Sequence, residues 1–202
     1  PDAISYNVIA DLRGHEHPDE LVIVSGHLDS WDLGTGALDD AGGVAVAMEV
    51  VRLVKQMQFK PRRRIRCIAW MNEENGVTGG KTYASRRMDT IANHIAVIES
   101  DCGAGHPFGF DVMGKPQLLE LLRPVREVLA SFGAGLMRST ETTETDILPL
   151  ALAGVPAFGV WQDTHTYFDY HHTAADTFDK IIPQELAENA AQARAVRERL
   201  RP

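Results

Sequence analysis

Residues 21–57 read LVIVSGHLDSWDLGTGALDDAGGVAVAMEVVRLVKQM. The opening LVIVS is an apolar, β-branched run of strand length, and the glycine-rich segment 34–40 is a loop. From Ala41 the apolar residues recur with helical spacing through GGVAVAMEVVRLVKQM, which predicts a buried helix. Strand, loop and helix follow one another directly, and His27, Asp29, Asp39 and Asp40 all fall between the strand and the helix.

The same alternation runs outward in both directions. Residues 5–12 (SYNVIADL) alternate as a strand and enter the turn-rich RGHEHPDE, so with 21–25 they predict a hairpin. Residues 64–71 (RIRCIAWM) are a third strand, entered from the basic PRRR, and 79–88 a shorter helix. Residues 94–99 (HIAVIE) are a fourth strand, and 116–132 are helical in period with Pro124 as a kink or restart. Residues 155–160 (VPAFGV) are a fifth strand whose Pro156 marks a strand start. Residues 183–200 close the chain as a helix opened by proline. Strands alternating with helices define the α/β class, a sheet covered on both faces. No repeat or linker divides the chain, so one domain over 1–202 is expected.

A chain of 202 residues buries roughly 70% of its unfolded surface and folds without disulfides. Twenty Lys and Arg against 28 Asp and Glu give −8, which argues against a nucleic-acid partner. No apolar run approaches the ~20 residues of a membrane span, so no membrane insertion is expected. The basic RAVRERLR near the end reads as a solvated helix face. Cys67 and Cys102 each close or follow an apolar run and read as buried thiols rather than a bridge.

The segments just past each strand carry the chemistry. His27 and Asp29 follow the LVIVS strand, Asp39-Asp40 precedes the long helix, and Glu73-Glu74 follows the third strand. Asp101 follows the fourth, and His171-His172 with Asp176 come after the fifth. Each pair alone is unremarkable: an Asp-Asp is more often a helix cap, a Glu-Glu a solvated face. Their joint recurrence at the carboxyl ends of successive strands, where open α/β sheets bind ligands, is not so easily dismissed. Carboxylates gathered together resist ionising unless a cation neutralises them. Imidazole with carboxylate and no thiolate suits zinc, with cobalt or manganese as substitutes. Two ions ~3.5–4 Å apart need roughly five protein ligands, one carboxylate bridging both, and an unligated carboxylate must still move the proton.

Four blocks, GHLDSWDLGTGALDDAGG, WMNEENG, IESDCGAG and YFDYHHTAADT, resemble the co-catalytic di-zinc exopeptidases in order and setting. That family includes secreted bacterial aminopeptidases and the plasma glutamate carboxypeptidase (carboxypeptidase Q) branch, to which the first and last blocks are most similar. The resemblance implies a three-layer α/β/α sandwich with a mixed, mostly parallel central sheet. It further implies two zinc ions, one held by His27 and Asp101, the other by Glu74 and His172. Asp39 would bridge them across a cis peptide to Asp40. Glu73 would be general base and acid, taking a proton from the metal-bridging water and giving it to the leaving amine. Asp29 would accept the other ring N–H of His27, and Asp176 would support the site near His172. Some relatives carry Tyr where His171 stands, so His171 is expected to donate to the oxyanion in its place. Relatives also have helices, and some a protease-associated insert, ahead of the first strand. The chain opens near that strand, so the expectation is a catalytic domain truncated at its N-terminus without the insert.

The activity implied is hydrolysis of the terminal peptide bond of dipeptides or short peptides, in an extracytoplasmic setting, with room for a homodimer. Residues 141–150 and 161–170 are candidates for recognising the chain terminus. Asp146 lies in a segment similar to the family's GTDI-like run, with Glu144 in place of glycine, and Trp161, Tyr167 and Phe168 line a pocket or finish the core. Two alternatives stand beside the peptidase reading: another amide hydrolase or cyclase on this fold, and a catalytically inactive metal-binding module.

Overall fold

In the computed structural model, which describes residues 3–58, 60–143 and 145–199 and side chains of the last helix as far as Gln192, the strand at the heart of the chain is longer than its apolar run. Among the described residues seven strands form one sheet: β1 Val8–Leu12, β2 His17–His27, β3 Arg63–Trp70, β4 His94–Glu99, β5 Pro107–Met113, β6 Leu136–Ser139 and β7 Ala157–Gln162. The helices are α1 Gly42–Gln56, α2 Thr78–Arg86, α3 Gln117–Leu121, α4 Arg123–Ala130, α5 Leu148–Leu152, α6 Tyr167–Tyr170 and α7 Pro183–Arg199. Spatial order is β1-β3-β2-β4-β7-β5-β6. The β3/β2, β2/β4, β4/β7 and β5/β6 pairs are parallel and the β1/β3 and β5/β7 pairs antiparallel, so the sheet is mixed and mostly parallel.

Side chains of successive strand residues point to opposite faces, and β2 shows what each face buries. Val22 and Val24 join Val46, Val50 and Val54 of α1, Val125 and Leu129 of α4 and Ala190 of α7 in one apolar cluster. Ile23 joins Ile68, Trp70 and Tyr83, with Ile147 and Leu150 at α5, in another. Helices on both faces of the sheet make the three layers. In α1 the buried valines recur every four residues, and burying each contributes about 1.5–3 kcal/mol before chain entropy is counted. Asp40 stabilises the first turn of that helix, its Oδ1 accepting the Gly43 N–H at 3.0 Å.

The structure departs from the sequence reading at three points. Residues 5–12 and 21–25 are not a hairpin, because β3 lies between β1 and β2. Acids of β1, β2 and the turn between them pair with the start of β3 and the basic segment before it: Arg66 donates to Asp11 at 2.8 Å, and Glu16 and Glu20 meet Arg62 and Arg63. The turn's own N–H groups at His15, Glu16 and His17 donate to the Pro61 and Arg62 carbonyls. The helical stretch 116–132 restarts at Pro124 as expected, α3 ending at Leu121 and α4 carrying Pro124 in its first turn. Strands β5 and β6 were not expected. Cys67 is buried, but Cys102 is exposed.

Candidate metal centre

Parallel strands β2, β3, β4 and β7 present their carboxyl ends along one edge, and every candidate side chain comes from a segment leaving that edge. His27 is the last residue of β2 and is wholly buried. Its Nε2 lies 3.1 Å from Asp39 Oδ1 and 3.1 Å from Asp101 Oδ1. The other Asp39 oxygen, Oδ2, lies 3.2 Å from His172 Nε2 and 3.3 Å from His171 Nε2. His172 Nε2 is in turn 2.9 Å from Glu74 Oε2. One carboxylate therefore stands between two groups of donors, with one oxygen turned to each. The Asp39-Asp40 peptide is cis.

These separations suit a metal. Ligand atoms at zinc bond lengths in a tetrahedron lie about 3.3 Å from one another. Donor atoms of His27, Asp39 and Glu74, of Asp39, His171 and His172, and of His27, Asp40 and Asp101 each fall within 4.8 Å as a group. Glu74 Oε1 is buried and, among the described residues, has no hydrogen-bond partner; a buried carboxylate oxygen left so is costly unless a cation meets it. The donors are imidazoles and carboxylates without thiolate, so the residues present fit zinc.

Electrostatics agree with that chemistry. Burial pushes the carboxyls of Asp101, Asp40 and Glu74 upward, reinforced for Asp101 and Glu74 by Asp39 and for Asp40 by Asp101. Burial would also raise Asp39, but the imidazoles of His27, His171 and His172 hold it below the usual carboxylate range. Burial alone would lower His27; Asp101 and Asp39 raise it. Glu73 is half-buried, and burial together with Asp101 pushes its carboxyl up to about 8.

Asp29 and Asp176 brace the site by routes other than those expected. The ring Nδ1 of His27 meets the main-chain oxygen of Asp29 at 2.8 Å, while the Asp29 carboxylate is 3.8 Å away. That carboxylate instead accepts the N–H groups of Asn72, Glu73 and Glu74 at 2.6, 3.1 and 3.3 Å. Asp176 serves the Asp39 turn rather than His172, its two oxygens accepting the N–H groups of Leu38 at 2.7 Å and Asp39 at 3.1 Å. Asp40 was seen in the sequence only as the second of a pair, yet it accepts the His27 N–H at 2.9 Å and caps α1. Trp31 was missed altogether. Its Nε1–H donates to Glu74 Oε2 at 2.8 Å, and its place between His27 and Asp39 was the available signal.

The expected recognition segments are only partly at the site. Asp146 is wholly buried, accepts the Gly80 N–H at 2.8 Å and is pushed up to about 7, chiefly by burial. Glu144 lies outside the described residues. Trp161 packs under Arg138 and against Phe108. Tyr167 is buried against the His171 ring, with the exposed Phe168 edge-on to that ring at 5.6 Å.

A three-layer α/β domain with imidazoles and carboxylates converging at the carboxyl edge of its sheet has the architecture of a metallohydrolase. The chain belongs to peptidase family M28, which it matches over residues 7–196. It is 38% identical over 177 residues to carboxypeptidase Q of Xenopus laevis, covering 88% of this chain and 38% of that protein. It superposes on a crystal structure of a peptidase M28 precursor from Shewanella amazonensis with TM-score 0.88 and 37% identity, covering 96% of this chain and 44% of that one. A zinc aminopeptidase from Bacillus subtilis shares the fold, with TM-score 0.77 at 22% identity over 94% of this chain and 48% of that one. The chain thus spans about two fifths of the length of the curated relatives it matches. Among the described residues no helix is long and apolar enough to cross a membrane.

Proposed function

We propose that this chain carries the catalytic site of a zinc-dependent exopeptidase that hydrolyses the terminal peptide bond of dipeptides or short peptides. The observation that carries the proposal is the Asp39 carboxylate, with one oxygen facing His27 and the other facing His172. His27 and Asp101 would hold one zinc, Glu74 and His172 the other, and Asp39 both. When bound, such ions would polarise the scissile carbonyl and lower the pKa of a bound water.

The remaining work belongs to the chain's own groups. Glu73 takes the water's proton on its carboxylate and returns it to the leaving amine. Asp29 holds the turn that separates Glu73 from Glu74 by binding the N–H of each. His171, whose Nε2 stands 3.3 Å from Asp39 Oδ2 at the edge of the site, donates Nε2–H to the carbonyl oxygen as negative charge develops there. An extracytoplasmic setting belongs to the same reading.

Zinc titration with elemental analysis, followed by a dipeptide panel, tests it. Two ions per chain are expected, and Glu73→Gln should lower turnover by about 10²–10⁴-fold with zinc content unchanged. Turnover retained in Glu73→Gln would overturn the mechanism, and a chain that takes up no zinc would overturn the metal site.

A further inference from the structure

Trp31 stands in the loop between His27 and Asp39 and keeps 50% of its surface exposed, so filling the core does not explain its place. It makes two different contacts. Its indole N–H donates to Glu74 Oε2 at 2.8 Å, and its ring stacks on His172 with centroids 4.8 Å apart and planes 28° apart. His172 stacks on His171 at 3.5 Å, and the Tyr167 ring lies against His171 at 4.9 Å. The loop that carries Trp31 is fixed at both ends: the Leu28 N–H donates to Trp70 O at 2.7 Å and the Thr35 N–H to Asp176 O at 2.9 Å.

Each contact removes one freedom. An N–H on one oxygen stops the Glu74 carboxylate from turning about its last bond, whose torsion is otherwise soft. A ring laid against the imidazole stops His172 from turning about its own. His172 also has a left-handed backbone, φ 58°, a conformation that a non-glycine residue holds only where its surroundings enforce it.

We propose that Trp31 is a positioning residue, which holds Glu74 and His172 in the orientation where both address one zinc position. The proposal rests on the two-zinc reading above and adds a residue to which that reading gives no part. It also makes the indole a reporter, since a cation at Glu74 lies next to the group that sets Trp31 emission.

The test is zinc binding by the full chain, measured by calorimetry and tryptophan fluorescence in the native protein, Trp31→Phe and Trp31→Leu. Each is repeated in an Asp101→Asn background, where the binding that remains reports Glu74 and His172. Trp31→Phe, which keeps a ring but no donor, should bind this ion about 10-fold more weakly and Trp31→Leu about 100-fold. The native emission change on zinc addition should vanish in Trp31→Phe although Trp70 and Trp161 remain. Unchanged zinc affinity in Trp31→Leu, with the native chain still taking two ions, would overturn the positioning role and leave the two-zinc reading standing. A native chain that binds fewer than two ions would overturn both. Equal loss of melting temperature in both variants under chelator would make Trp31 a structural residue and also overturn the role.

Discussion

Asp176 places both carboxylate oxygens on the main chain of the turn that carries Asp39, at the Leu38 and Asp39 N–H groups. Replacing it with alanine leaves two buried donors unpaired, so Asp176→Ala should cost about 2–4 kcal/mol in urea unfolding. The same change should weaken zinc binding about 10-fold, because Asp39 loses the bonds that aim it. Zinc affinity unchanged in that variant would show that Asp39 is held by the fold without help. His171→Ala is a different kind of loss. It should retain zinc and lower kcat by about 10²–10³-fold, the cost of an oxyanion donor; turnover near the native level would remove His171 from the chemistry. At this scale the sequence points to residues and not to the atoms they use. The spacing His27-x-Asp29 finds the partner of the imidazole, but the oxygen used is the carbonyl, which frees the carboxylate for three N–H groups 43 to 45 residues away. A contact across that distance has no local sequence signal. Trp31 was hidden for the same reason: its partner Glu74 is 43 residues on.

Among the elements, α1 shows how closely the site and the core are joined. A Cβ on Gly43 would fall on the Ser100 carbonyl and on both oxygens of Asp40, so Gly43→Ala must push the helix away from the β4 end or displace the Asp40 cap. Loss of zinc binding together with a melting temperature lower by several degrees is expected, on the scale of about 2–4 °C per kcal/mol for a chain of this size. On the opposite face, Asp11, Arg66, Tyr83 and His94 form a line: Arg66 donates to Asp11 and to the Tyr83 oxygen, and Tyr83 O–H lies 3.0 Å from His94 Nε2. Burial lowers the His94 pKa from 6.5, and the charges of Arg66 and Arg87 lower it further, against backbone bonds from Thr90 and Ile91. The unfolded chain therefore takes up a proton as pH falls through 6.5 while the folded chain does not, and stability present above that pH is lost below it. Urea midpoints at pH 7.5 and 5.5, with chelator throughout, should fall less in His94→Gln than in the native chain; equal falls would exclude His94 as a source of acid sensitivity. Elements were legible where apolar period and length agreed, as in α1 and β4. β5 was missed because Pro107 and Gly109 punctuate PFGFDVM, and β6 because four residues carry too little pattern. The false hairpin came from treating neighbours in sequence as neighbours in the sheet, when the basic entry to β3 pairs with the acids on both sides of it.

Across the whole molecule, a net charge of −8 is unevenly spread, for Asp39, Asp40, Glu99, Asp101 and Asp146 are all largely withdrawn from water near one sheet edge. Burial and mutual repulsion push the carboxyls of Asp40, Glu99, Asp101 and Asp146 upward, so without cations the folded chain bears the cost of assembling them. The α/β layering was legible from alternation alone, and the clustering of acids from their places after successive strands. Their depth was not, because it depends on how far the loops fold back over the edge. Cations that bind only the folded chain should return that cost as stability. An ion at a hundredfold its Kd adds about 2.7 kcal/mol, which for a chain of this size is a rise of roughly 5–10 °C in Tm. Zinc should give that rise over chelator-treated protein. Calcium, which takes six to eight oxygen ligands and disfavours imidazole, should give little of it. If Asp39 holds the ions and Glu73 only moves a proton, as proposed above, Asp39→Asn should lose most of the zinc response and Glu73→Gln should keep it. A melting temperature indifferent to zinc in the native chain, or a response preserved in Asp39→Asn, would mean that the buried acids are neutralised by protons and that the carboxylate between the two histidines bridges nothing.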